Sequence, residues 1–177
     1  MWSIIFVVLS VAIVGLILVV RMQPSNFRIS RSISMSAPAS EVFGQVNDFH
    51  NWRNWSPWEK MDPDLKRTYE GAPSGTGSVY SWSGNKKVGE GRMTLVESHP
   101  SDRIRIKLEF LKPFKATNTA EFTFQSEGGN TRVEWAMTGA NESFMSKAFC
   151  MVMNMDKMVG KDFEKGLASM KETVEAK

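Results

Sequence analysis

The chain is poor in side chains that bind metals or cross-link a fold: it has one cysteine, Cys150, and two histidines, His50 and His99. A lone cysteine excludes an internal disulfide framework and any CxxC metal site. Cys150 lies among Phe149, Met151 and Val152, which reads as a buried, inert thiol rather than a nucleophile. His50 precedes a tryptophan cluster and His99 precedes Pro100 in an expected turn. The two are isolated from each other and belong to no cysteine or acidic ligand motif, so no metal site and no cofactor are expected. Clustered positive charge is missing too. The 22 Lys plus Arg and 19 Asp plus Glu leave +3 dispersed along the chain, and without a concentrated basic face nucleic acid is excluded as a partner. The glycine-rich stretch from Gly71 to Gly77 lacks a following Gly-Lys-Ser/Thr and leads into a strand pattern, so it reads as a turn and not a phosphate loop.

Charge is also absent from Ser3 to Val20, a run broken only by Ser3, Ser10 and Gly15 and ended by Arg21. With Met1 and Trp2 it reaches about 20 residues, about 30 Å as a helix, which matches a hydrocarbon core. A cleaved signal peptide fits poorly. No Lys or Arg precedes the run, its apolar core is too long, and Val19-Val20-Arg21-Met22 is not a small-x-small cleavage site. The expectation is an uncleaved, single-pass membrane anchor at residues 1–21 and a linker at 22–26. One domain of about 150 residues follows at 27–177. Arg21, Arg28 and Arg31 lie just after the run, which by the positive-inside rule places that domain in the cytoplasm.

Beyond the linker, period-two alternation from Phe27 to Met35 predicts a strand, and Ala37 to Phe43 a short helix with Ser36 as its N-cap. Three tryptophans follow at spacing three, Trp52, Trp55 and Trp58, and Pro57 breaks any continuous helix through them. They would plug one end of the core, line a pocket, or lie at the membrane interface. Strands are expected near 66–71, 77–83, 87–98, 102–111, 115–125 and 131–138. The clearest alternates Ile104, Ile106, Leu108 and Phe110 with Arg103, Arg105, Lys107 and Glu109. Apolar residues at steps of three and four from Ala148 through Phe163 to Val174 predict one long helix covering the sheet. Gly160 and Gly166 weaken that helix, which implies close packing or a bend.

This order resembles the helix-grip superfamily of START-like (SRPBCC) domains, and within it the polyketide cyclase/dehydrase-like branch. The resemblance rests on Ala37-Pro38-Ala39-Ser40-Glu41-Val42-Phe43, Asp48-Phe49 with its tryptophans, and Gly75-Thr76-Gly77-Ser78-Val79-Tyr80-Ser81-Trp82. It continues through Gly89-Glu90-Gly91, Gly129-Asn130-Thr131-Arg132-Val133-Glu134-Trp135, and the helix carrying Gly160 to Leu167. It implies an α+β helix-grip fold, a curved antiparallel sheet of about seven strands wrapped around a long C-terminal helix. It also implies a deep cavity for a hydrophobic molecule; some members of the superfamily are enzymes and others carriers or sensors.

Cavity candidates from the strand phase are Tyr80, Trp82, Met93, Ile106, Leu108, Phe122 and Trp135. Trp55 comes from the cluster, Met155, Met158 and Phe163 from the helix, and Glu90 from a possible bulge between two glycines. Glu109, Glu121 and Glu134 fall on the wet face, so no catalytic constellation converges on the cavity. Arg31 occupies an inward phase and would pair with Glu90, grip a polar ligand head, or reach solvent. Adaptable methionines, Met145, Met151, Met153, Met155, Met158 and Met170, gather on the long helix. The reading is a membrane-anchored, non-catalytic binding protein for a hydrophobic or lipid-like molecule. A cyclase, dehydratase or hydrolase using Tyr80 or Glu90, and an interaction module for a membrane partner, are the alternatives.

Overall fold

In a computed structural model of the chain, residues 2–140, 144, 147–148, 151 and 155–176 are described, except for the side chains at 2–4, 7–8 and 11–12. Met145, Cys150, Val152 and Met153 therefore lie outside the described residues. Helix α1 (Trp2–Met22) precedes β1 (Asn26–Met35) and α2 (Ala39–Asn47). A 3₁₀ turn (Phe49–Asn51), the single turn α3 (Trp52–Trp55) and a second 3₁₀ turn (Pro57–Lys60) carry the tryptophans. Then come β2 (Lys66–Gly71), β3 (Ser78–Ser83), β4 (Glu90–His99), β5 (Arg103–Lys112), β6 (Ala116–Glu127), β7 (Asn130–Ala140) and the long helix α4 (Met155–Glu175).

Helix α1 stands where the span was expected, and Ile5, Phe6, Leu9, Ile13, Val14, Leu16 and Leu18 are exposed on it. Its fully described stretch, 13–22, is short for a crossing, and among the described residues no helix is long and apolar enough to cross a membrane.

The seven strands form one antiparallel sheet in the order β1-β7-β6-β5-β4-β3-β2. Alternation puts Ile104, Ile106, Phe122, Phe124, Val133 and Trp135 into the core, all buried. The outward phase carries ion pairs: Arg105 to Glu97 at 2.6 Å and to Glu121 at 3.0 Å, and Arg28 to Glu134 at 2.9 Å. At the surface such pairs contribute little each, about 0–1 kcal/mol, so burial on the other face dominates. Register shifts at Glu90/Gly91 and Leu95/Glu97 mark bulges that bend β4 and help the sheet curve.

Helix α4 lies in that curve, burying Phe163, Leu167, Met170 and Val174. Both of its suspect glycines are sites of close packing within a continuous helix. A Cβ at Gly166 would sit 2.9 Å from Trp135 Cζ3 and 3.1 Å from Pro57 Cδ, and one at Gly160 would collide with the Arg31 guanidinium. Arg31 neither meets Glu90 nor is left to solvent. It donates to Asp156 at 2.9 Å and to Glu164 at 2.7 Å, mooring the first half of α4 to β1. The Asp156 carboxyl is thereby held below the usual carboxylate range.

Ser36 does not cap α2. The chain bends at Ser36 and Ala37, Pro38 occupies the N-cap position with extended backbone and without a side-chain bond, and the Ser36 N–H is taken by Glu175 Oε1 at 2.6 Å. The first strand end is thus tied to the last turn of α4.

Gly91 is a point of close packing in the sheet. Trp82 lies across it, and a Cβ there would meet both the indole and, at 2.6 Å, the Glu109 carbonyl oxygen on the neighbouring strand. Gly91→Ala is expected to cost about 1–3 kcal/mol by overpacking. Urea denaturation would show this as a lower midpoint at unchanged slope, and an unchanged midpoint would mean that Trp82 yields freely.

Candidate functional site

A cavity of about 350 Å³ lies between the sheet and α4, near the lower end of the range of about 300–1,000 Å³ typical of small-molecule sites. Its walls come from four places. The sheet supplies Tyr80, Trp82, Met93, Leu108, Phe110, Ala120, Trp135 and Met137, and α4 supplies Met158, Val159, Asp162 and Phe163. The tryptophan segment contributes Trp52, Ser56, Trp58 and Glu59, and the loops contribute Met61, Leu65, Lys87 and Val88.

One wall is a fixed aromatic stack. Trp135 is sandwiched between Phe163, at 4.1 Å and nearly parallel, and Phe122 at 4.9 Å. Trp55 and Trp58 meet Trp135 edge-on at 5.5 and 5.6 Å. The tryptophan segment is locked from behind, because Trp52 Nε1–H donates to the Val46 carbonyl at 3.1 Å and Trp55 Nε1–H to the Gln45 carbonyl at 3.0 Å. These bonds satisfy the indole donors while their rings fill the core. Trp135 also carries a buried Nε1–H, with no partner among the described residues.

The polar part of the wall, Tyr80 and Glu59, belongs to a hydrogen-bonded triad with Arg67. The Tyr80 hydroxyl donates to Glu59 Oε1 at 2.5 Å, and Arg67 Nε–H donates to Glu59 Oε2 at 2.6 Å. Arg67 further donates to the Leu65 carbonyl at 2.8 Å. The Glu59 side chain is only 6% exposed, so its charge is balanced in place by Arg67. Burial, and then the bond to Glu59, push the Tyr80 phenol well above its ordinary value, so it stays protonated. A second buried carboxylate, Asp62, accepts from the backbone N–H groups of Asn85 at 2.6 Å and Asp64 at 3.0 Å, tying the β3–β4 turn to the loop before β2. Trp82 Nε1–H donates to the Val88 carbonyl at 3.0 Å and holds the same turn against the cavity wall.

Of the residues expected at the cavity, Tyr80, Trp82, Met93, Leu108, Trp135, Met158 and Phe163 border it. Five do not. Trp55, Ile106 and Phe122 are fully buried in the layer behind the wall. Met155 packs on the core near the start of α4. Glu90 lies on the outer side of the bulge, where it accepts from Lys112 Nζ at 2.8 Å. The strand phase also missed Glu59, which reaches the cavity from a 3₁₀ turn where strand alternation does not apply. Arg67 was its signal. It shares the inward phase of β2 with Tyr69, and an inward arginine needs a carboxylate to meet. Among the described residues no cluster of His, Cys, Asp and Glu is arranged to hold a metal ion.

Residues 26–175 match the family model described as polyketide cyclase / dehydrase and lipid transport. Solved structures with this fold include a protein from Thermobifida fusca, 22% identical, covering 83% of this chain and 92% of that one with a TM-score of 0.60. A protein from Nitrosospira multiformis is 18% identical, with 84% and 96% covered and a TM-score of 0.60. One from Chromobacterium violaceum is 14% identical, with 86% and 99% covered and a TM-score of 0.60. At these identities the likeness is one of fold. No curated protein matches the chain.

Tyr80→Phe is expected to cost about 1–3 kcal/mol, since it leaves Glu59 Oε1 buried without its donor. The pH dependence gives a second readout. The unfolded chain releases the Tyr80 proton near pH 10 while the folded chain keeps it, so stability is complete below about pH 10 and falls as pH rises past it. Urea midpoints of the wild type between about pH 9 and 11 should decline more steeply than those of Tyr80→Phe. Parallel slopes would refute the assignment of that decline to Tyr80.

Proposed function

The chain belongs to the polyketide cyclase / dehydrase and lipid transport family, and from that membership we propose that it is a membrane-anchored binding protein that holds a hydrophobic or lipid-like molecule between its sheet and α4 without transforming it. The observation that carries this reading is the character of the cavity: a continuous apolar and aromatic lining interrupted by a few fixed polar groups. The unpaired Nε1–H of Trp135 favours a ligand with at least one hydrogen-bond acceptor. Against catalysis stands the state of Glu59. Both of its oxygens are already engaged, by Tyr80 and by Arg67, which suits a structural post better than a proton acceptor.

The anchor is supported by the uncharged run Ser3–Val20 and by the apolar residues that α1 leaves exposed on every described side. A helix apolar all round is stable only if enclosed by protein or lipid. The arginines that follow it favour a cytoplasmic domain.

The Tyr80–Glu59 pair supports a second reading, a cyclase or dehydratase of a hydrophobic substrate in which Glu59 accepts a proton. The two separate on one preparation. Full-length protein extracted in mild detergent should show a bound small molecule by native mass spectrometry, and Ala120→Trp, which fills the cavity, should lose it. A wild-type protein with no adduct would refute binding. In the catalytic reading Glu59→Gln would retain a molecule of different mass from that held by the wild type, whereas identical masses support the holder.

A further inference from the structure

The strand register brings several connections to one end of the sheet. Asn26 lies opposite Ala140, Asn118 opposite Gly139, Phe110 opposite Ala116, Gly91 opposite Phe110, and Ser83 opposite Glu90. The start of β1, the β5–β6 turn and the β3–β4 turn therefore share that end. Only Gln23, Pro24 and Ser25 separate α1 from β1, a reach of at most about 15 Å. Whatever α1 enters, this end of the sheet is held beside it.

The surface presented there is amphipathic. Phe114, at the tip of the β5–β6 turn, is 80% exposed, and Leu111 beside it is 45% exposed. The two make a small apolar point at the turn. Around it stand Lys86, Lys87, Lys112 and Lys115, all exposed. Of the nearby carboxylates, Glu90 is paired with Lys112 and Glu109 with Lys107, and Asp62 is buried and hydrogen-bonded to backbone N–H groups. Lys86, Lys87 and Lys115 thus leave exposed positive charge around the apolar point. Lys87 and Met158 are exposed and also border the cavity, so the cavity reaches the surface near this end.

We propose that this end of the sheet docks on the bilayer that holds α1, with Phe114 and Leu111 entering the interfacial layer and Lys86, Lys87 and Lys115 meeting anionic headgroups. The inference rests on the anchored reading of α1. The occupant follows from charge and from the tether: lysines around an exposed aromatic match an anionic lipid surface, and the short linker keeps such a surface within reach. Docked in this way, the cavity opens toward the membrane and not toward bulk water.

The test uses the full chain in vesicles of phosphatidylcholine with phosphatidylglycerol. Cys150→Ala removes the native thiol, and an environment-sensitive fluorophore is placed at Ala116→Cys, beside the tip, or at Ser126→Cys, at the opposite end of the sheet. Quenching by lipids spin-labelled near the headgroup should be severalfold stronger at position 116 than at 126. The difference should be lost when Phe114→Asp is added, and should shrink when Lys86, Lys87 and Lys115 are replaced by Glu or the vesicles contain phosphatidylcholine alone. If the chain floats with the vesicles but positions 116 and 126 are quenched alike, docking is overturned while the anchor stands. If quenching at 116 is the same with and without anionic lipid, the headgroup contact is overturned. A chain that does not float with vesicles at all refutes the anchor and the docking together.

Discussion

Trp135 is the point on which the architecture turns. Its ring is clasped between Phe122 of the sheet and Phe163 of α4, and the tryptophan segment abuts its edge. Three separate parts of the chain are thereby fixed to one indole. Aromatic pairs of this kind contribute about 0.5–1.5 kcal/mol each beyond the area they bury. The stack needs Gly166, since any side chain there would drive α4 away from Trp135 and Pro57. That glycine costs the helix up to about 1 kcal/mol relative to Ala, a cost offset by the ring contact that it permits.

The cavity is a consequence of the same contact. At the stack, α4 is drawn tightly to the sheet. Farther along, the sheet bends at the two bulges of β4, and smaller or more flexible side chains, Met93 of β4, Ala120 of β6 and Met137 of β7, border the space. The opening would close if α4 could tilt into it. Arg31 opposes that tilt by holding Asp156 and Glu164 near one end of the helix, and the Ser36–Glu175 bond fixes the other. The space is maintained by restraint at both ends of α4 rather than by rigid walls throughout.

Most of this was legible in the residues. Alternation in β5, β6 and β7 places the strands and their inward faces, because period two admits no other reading over eight or more residues. The three-four stripe from Phe163 to Val174 likewise fixes the buried face of α4. Site prediction fails where periodicity ends. Inward phase cannot separate a side chain at the cavity wall from one in the layer behind it, which is why Ile106 and Phe122 were expected at the surface of a space they only support. Glu90 shows a different limit: the bulge is real, but Lys112 draws the carboxylate outward. The two inward arginines were the stronger clue, because each implies an unseen carboxylate, and Arg67 leads directly to Glu59.

The cavity is unequal in stiffness, and this bears on what could fit it. On one side the stacked rings and the Tyr80–Glu59–Arg67 triad are each held by several partners, so displacing one breaks contacts with the rest. On the other, Met93, Met137 and Met158 have unbranched side chains that re-pack at little cost. A molecule entering this space would meet fixed shape and polarity at one flank and tolerance at the other. Selection would then act on the part lying against Trp135 and Tyr80, while the length and branching of an apolar remainder would be read only loosely. This division suits a class of related hydrophobic molecules better than a single compound, since a site that rejects close analogues needs rigid contact on all sides.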